Sequence, residues 1–128
     1  YIEFPAESSE QKIYGIWMEH LKQERRPTAY IISTAIRQQF QLAVQTLGLS
    51  IPEDISYVNI EYYRRSNSEE ENQTRVVSKA DIVAETAFKK LLRVIYNPAS
   101  EFESQMVPLE ITAGETTAVP KNHLEEIT

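Results

Sequence analysis

The stretch from Leu47 to Tyr62, LGLSIPEDISYVNIEY, constrains the fold of this chain more than any other. An apolar helix ends at Leu47, and Gly48 follows it. Glycine just past a helix takes the left-handed cap conformation that side chains resist. Pro52 cannot continue a helix, and its ring pushes Ile51 toward an extended shape. After Glu53 and Asp54 comes an apolar-rich strand, Ile55 to Ile60. The strand gives way to Glu61, so a carboxylate stands at a strand's C-terminal edge. In open α/β sheets that edge is where ligands bind.

The rest of the chain is read outward from there. Tyr1 to Phe4 reads as a short strand ended by Pro5, and Ser8 or Ser9 is placed to cap a helix from about Glu10 to Gln23. Ile13, Ile16, Trp17 and Leu21 give that helix an apolar face, with Trp17 in the core. Tyr30-Ile31-Ile32 is a short continuous apolar run, the pattern of a strand buried on both faces. Thr34 is placed to cap a helix from Ala35 to Leu47, whose inner stripe is Ile36, Phe40, Ala43, Val44 and Leu47. Residues Tyr63 to Gln73 are polar and read as an exposed loop, and Arg75-Val76-Val77 as an extended crossover. From Lys79 to Tyr96 runs the clearest helix, with Ala84, Ala87, Phe88, Leu91, Leu92 and Ile95 as a wide apolar stripe. The stripe predicts that Leu91→Asp unfolds the domain. Gln105 to Ile111 and Thr117 to Val119 are candidate strands about a turn at Gly114, and residues 121–128 are a polar tail. Alternation of strand and helix predicts an α/β fold, a parallel sheet with flanking helices.

The chain's 128 residues are enough for one compact domain with its own core. A net charge of −6 argues against a direct grip on nucleic acid, which needs a basic face. With no cysteine there is neither a disulfide framework nor a thiolate metal site nor a cysteine nucleophile. His20 and His123 lie far apart with no carboxylate cluster at metal spacing, so no metal and no cofactor is expected. No glycine-rich phosphate loop and no nucleophile paired with a base appears, so no enzyme is expected. No apolar run reaches membrane-spanning length.

Several segments in order carry a family resemblance. Gly48-Leu49 through Pro52-Glu53-Asp54-Ile55-Ser56, followed by Val58 to Glu61, resembles the effector-binding domain of the LacI/GalR family of bacterial transcriptional regulators. Arg26-Pro27-Thr28-Ala29 resembles the segment before that domain's central strand. Thr74 to Val77 resembles its return through the hinge, and the helix to Leu92 the one that follows. Pro108-Leu109-Glu110 and Thr116 to Pro120 resemble its closing motif. The resemblance runs over roughly residues 10 to 120. It implies a fold like that of periplasmic binding proteins, two lobes joined at a hinge. Residues 1–120 would be the C-terminal portion of such a domain, mostly one lobe, with the third helix in the other. Tyr1 is mid-strand in character, and the resemblance implies a helix-turn-helix and about half of the sensor domain before it.

The resemblance also implies a site. Glu61 stands where the family usually carries an Asp that accepts hydrogen bonds from ligand hydroxyls; the plainer reading is a solvated loop carboxylate. Ser33 and Thr34 stand where it has Asn-Asp facing the cleft, although Thr34 reads equally as a helix cap. Ser78 aligns with a Gln near the hinge. Tyr62 and Tyr63 are placed either to stack on a sugar or to pack within a loop. The implied function is a cytoplasmic, ligand-sensing repressor domain of the sugar-binding kind, a homodimer that reaches operator DNA through a separate domain. Two alternatives stay open: an extracellular sugar-binding protein serving a transporter, and a regulator whose altered pocket answers to another ligand or to a protein.

Overall fold

In the computed structural model, which describes residues 1–61, 72–101 and 103–120, Gly48 adopts φ +66° and closes a helix. Its N–H donates to the Gln45 carbonyl at 3.0 Å, and the Leu49 N–H to the Val44 carbonyl at 3.1 Å. This paired closure satisfies carbonyls that the helix end leaves open. The chain then turns into a strand.

The described elements are helix α1 (Glu10–Leu21), strand β1 (Ala29–Ser33), a 3-10 turn (Thr34–Ile36), helix α2 (Arg37–Thr46), strand β2 (Ser56–Glu61), strand β3 (Arg75–Val77), helix α3 (Ala80–Tyr96) and strand β4 (Glu110–Thr112). They form a sheet in the order β1-β2-β3-β4. The pairs β1–β2 and β2–β3 are parallel, and β3–β4 is antiparallel. The fold is therefore α/β with a mostly parallel sheet.

Both α1 and α2 lie on one face of that sheet. The core is Trp17 and Leu21 from α1, Tyr30 and Ile32 from β1, Phe40, Ala43 and Val44 from α2, and Ile55 and Tyr57 at β2. Aromatic rings connect the layers: Trp17 meets Phe40 at 4.8 Å and Phe40 meets Tyr57 at 5.5 Å between centroids. Ser9 caps α1, its hydroxyl accepting the Lys12 N–H at 3.2 Å.

Expectations at several elements are corrected. Tyr1 to Phe4 forms no strand; Ile2 and Phe4 instead pack on the core, Phe4 at 5.3 Å from Trp17. The β1 run is not covered on both faces. Tyr30 and Ile32 are buried, but Ile31 is 73 % exposed, because the two helices share one side. The apolar stripe of α3 is also bare: Leu91 is 57 % exposed, and Phe88 and Ile95 are similar. Last, the 3-10 turn ahead of α2 is capped by Ser33, whose hydroxyl accepts the Ala35 N–H at 3.4 Å, so Thr34 is not the cap. Of the candidate C-terminal strands only residues 110–112 pair, while 117–119 run unpaired. That last segment is fastened by other bonds: Thr116 exchanges two hydrogen bonds of 2.8 Å with the Tyr57 backbone, and Ala118 bonds the Ser56 hydroxyl. The tail 121–128 and the residues Tyr62 and Tyr63 lie outside the described residues.

Gly114 passes hard against the chain entering β3. A Cβ there would stand 2.3 Å from the Gln73 carbonyl carbon and 2.4 Å from the Asn72 oxygen. Gly114→Ala should cost about 1–3 kcal/mol, the usual result of forcing atoms into a filled site. Leu91→Asp, on the bare stripe, should stay within about 0.5 kcal/mol in this 128-residue chain. Denaturant melts of the two variants check both; the reverse ranking contradicts the arrangement described here.

His20 gives a second test. It lies against Trp17 and Tyr30, and burial, aided by the N-terminal ammonium, pushes its pKa below the ordinary value. The unfolded chain then takes up this proton at a higher pH than the folded one. Its contribution is complete above the ordinary histidine value of about 6.5 and is lost as pH falls below it. His20→Gln should flatten the fall in melting temperature between about pH 7 and 5.

Candidate functional site

Parallel pairing aligns the C-terminal ends of three strands. Ser33 of β1 is in register with Ile60 of β2, and Glu61 with Val77 of β3. Ser33, Thr34, Glu61 and Ser78 therefore converge on one edge of the sheet, although they are far apart in sequence. The Ser78 N–H donates to the Glu61 carbonyl at 3.1 Å, which ties the third strand's exit to the second.

Side chains at this edge form a small network. Period-two alternation along β2 puts Tyr57, Asn59 and Glu61 on the helix-covered face. Tyr57 is inside the core, where its hydroxyl accepts from Gln41 Nε2 at 3.0 Å. Asn59 is fully buried. Its Nδ2 donates to Glu61 Oε1 at 3.1 Å and to Thr34 Oγ1 at 3.1 Å. The Thr34 hydroxyl donates to the Ile60 carbonyl at 3.2 Å. Glu61 is only 4 % exposed, and its second oxygen, Oε2, is buried with no hydrogen-bond donor among the described residues. The plain reading of Glu61 as a solvated loop carboxylate is thus overturned: it belongs to a strand and is buried. A buried acceptor without a donor is costly, so this atom calls for a partner.

Ser33 is half-buried and its hydroxyl serves the turn; Ser78 is also half-buried, and Thr34 is exposed. Sequence reasoning missed Asn59, and it missed the buried polar residues beside it. Arg75 is the register partner of Asn59, and Gln73 accepts from Arg37 Nη1 at 3.2 Å. The signal was the alternation itself, because Asn59 stands two residues before Glu61 and so shares its face of the strand. Chemically the edge offers one carboxylate, hydroxyls and an amide. Among the described residues no group of three or more His, Cys, Asp or Glu is placed to hold a metal. Among the described residues nothing at the edge pairs a nucleophile with a base.

Thr34→Val tests the network. It removes the bond to the Ile60 carbonyl and the acceptor for Asn59, at a cost of about 0.5–1.5 kcal/mol. Thermal unfolding checks this, and an unchanged midpoint would mean that Thr34 stands outside the network.

No protein-family model matches the chain, and no curated protein does. Solved structures do match. A LacI-type transcriptional regulator from Bacillus cereus subsp. cytotoxis aligns with TM-score 0.67 and 19 % identity, over 91 % of this chain and 44 % of its own. A LacI family regulator from Enterococcus faecium, solved with bound ribose, aligns with TM-score 0.65 and 23 % identity, over 89 % of this chain and 42 % of its own. The Lac repressor dimer bound to operator and an anti-inducer aligns with TM-score 0.70 and 20 % identity, over 87 % and 39 %. The chain spans under half the length of these structures. Among the described residues no helix is long and apolar enough to cross a membrane. The chain has the periplasmic-binding-protein-like fold of LacI-family transcriptional regulators, over part of its extent.

Proposed function

We propose that residues 1–120 are the C-terminal portion of the ligand-sensing domain of a DNA-binding transcriptional regulator, a cytoplasmic homodimer and not an enzyme. The ligand is a small effector of the sugar class, and operator DNA is reached through a separate domain. One observation carries the reading. Glu61 Oε2 is a buried acceptor without a donor among the described residues, at the strand edge where Ser33, Thr34 and Ser78 gather. A ligand hydroxyl supplies the missing donor, and a hydrogen bond to a charged group is of the stronger kind. The Enterococcus neighbour, with its bound ribose, supports the ligand class.

The mechanism follows from connectivity. The chain leaves this sheet through β3, forms α3, and returns through β4 beside β3. Two adjacent crossings of this kind make a hinge, with Gly114 packed against Asn72 and Gln73 at its base. A ligand at the neighbouring edge acts on such a hinge only through unequal affinity for its open and closed states. The acidic balance of this chain, net −6, agrees with DNA contact lying elsewhere.

A second reading rests on the low exposure of Glu61, 4 %. In it the edge is closed, and the regulator answers to a protein or to another ligand. Melting the intact protein with D-ribose, D-glucose and D-glucose 6-phosphate separates the two. A ligand at a hundredfold excess over Kd adds about 2.7 kcal/mol of stability. The first reading expects a shift with one of these, lost in Glu61→Ala. No shift with any of them favours the second.

A further inference from the structure

The orientation of the Asn59 amide is fixed by its surroundings. A carboxylate only accepts hydrogen bonds, so the amide nitrogen must be the end facing Glu61 Oε1. That nitrogen has two hydrogens, and both are engaged: one on Glu61 and one on Thr34. Asn59 is in turn immobilised by full burial and by its own N–H, which donates to the Thr74 carbonyl at 3.0 Å. A rigid donor therefore holds Oε1 of the carboxylate, while Oε2 has no donor among the described residues. The Thr34 hydroxyl accepts from Asn59 Nδ2, and its own hydrogen has two acceptors in reach, the Ile60 carbonyl at 3.2 Å and Asn59 Oδ1 at 3.4 Å.

We propose that Asn59 is a specificity-determining positioning residue, which clamps Glu61 through Oε1 so that Oε2 becomes the better acceptor for a ligand hydroxyl. This rests on the reading of the edge as an effector site. A free carboxylate takes two neighbouring hydroxyls of a sugar at once, one on each oxygen. The clamped one offers unequal oxygens, because Oε1 already carries the Asn59 hydrogen bond while Oε2 keeps its full accepting capacity. The site thereby discriminates at one position of the sugar ring and tolerates change at the next. Asn59 does not touch the ligand; it acts through Glu61.

The test has two arms on the intact protein. In the first, side-chain amide signals of Asn59 are followed by NMR with labelled asparagine. The clamp expects slowly exchanging amide protons that shift on Glu61→Gln; rapid exchange, or no shift, overturns it. In the second, Kd is measured for D-ribose and D-glucose and for their 2-deoxy and 3-deoxy analogues. In the parent protein one deletion should weaken binding at least tenfold and the neighbouring one less than threefold. In Asn59→Ala the second deletion should also weaken binding, by at least fivefold. A uniform loss across all the sugars would make Asn59 merely structural and overturn the proposal. If neither parent sugar binds the unmodified protein, the sugar-site reading fails and the selectivity claim fails with it, while the NMR arm still decides the clamp.

Discussion

The burial of a single face of the sheet organises this structure. Trp17, Phe40 and Tyr57 bring α1, α2 and β2 into one aromatic core, and Tyr30 joins them from β1. Fully burying such side chains is worth about 1.5–3 kcal/mol each, so their placement dominates the local balance. It also sets the phase of β2. With Tyr57 turned inward, Asn59 and Glu61 must point the same way, and a slip of one residue would turn all three outward. The polar pair is thus carried past the end of the core on the rigid face that the core defines. A carboxylate held like this does not relax into solvent, and its second oxygen has no donor among the described residues.

The same one-sidedness explains why Ile31 is bare. Ile31 and the α3 stripe are apolar, yet lie exposed. Periodicity reports which face of an element is apolar, and nothing about what covers it. That is why Leu91 looked like a core residue from spacing alone. Elements whose cover lies nearby in sequence were read correctly. The α2 stripe packs as Phe40, Ala43 and Val44, and Gly48 takes the positive φ that the stop required. The strand Ile55 to Ile60 was displaced by only one residue, to Ser56–Glu61.

The candidate site was legible in part. Glu61, Ser33, Thr34 and Ser78 were picked out by position, and parallel register brings them to one edge. Their bonding was not legible. The sequence offers two neighbouring hydroxyls, and only the approach of β1 to β2 makes Ser33 the cap and Thr34 a partner of Asn59. Asn59 escaped notice because asparagine is a turn former by propensity. Its role depends on a residue two positions along the strand and another on a different element. Gly114 was read as a turn, whereas what demands glycine there is the backbone of Asn72 to Thr74, far away in sequence.

The central claim is that the strand edge around Glu61 is where this protein meets a small ligand. Hydrogen–deuterium exchange of the intact protein, with and without each of D-ribose, D-glucose and D-glucose 6-phosphate, tests it most directly. The account predicts that one of these slows exchange at residues 33–34, 59–61 and 78 together, because the ligand ties three strand ends to one another. Slowing confined to another surface, such as the groove of about 310 Å³ lined by Arg26, Glu53 and Pro120 at the opposite end of the strands, would contradict it. So would an unchanged pattern with all three.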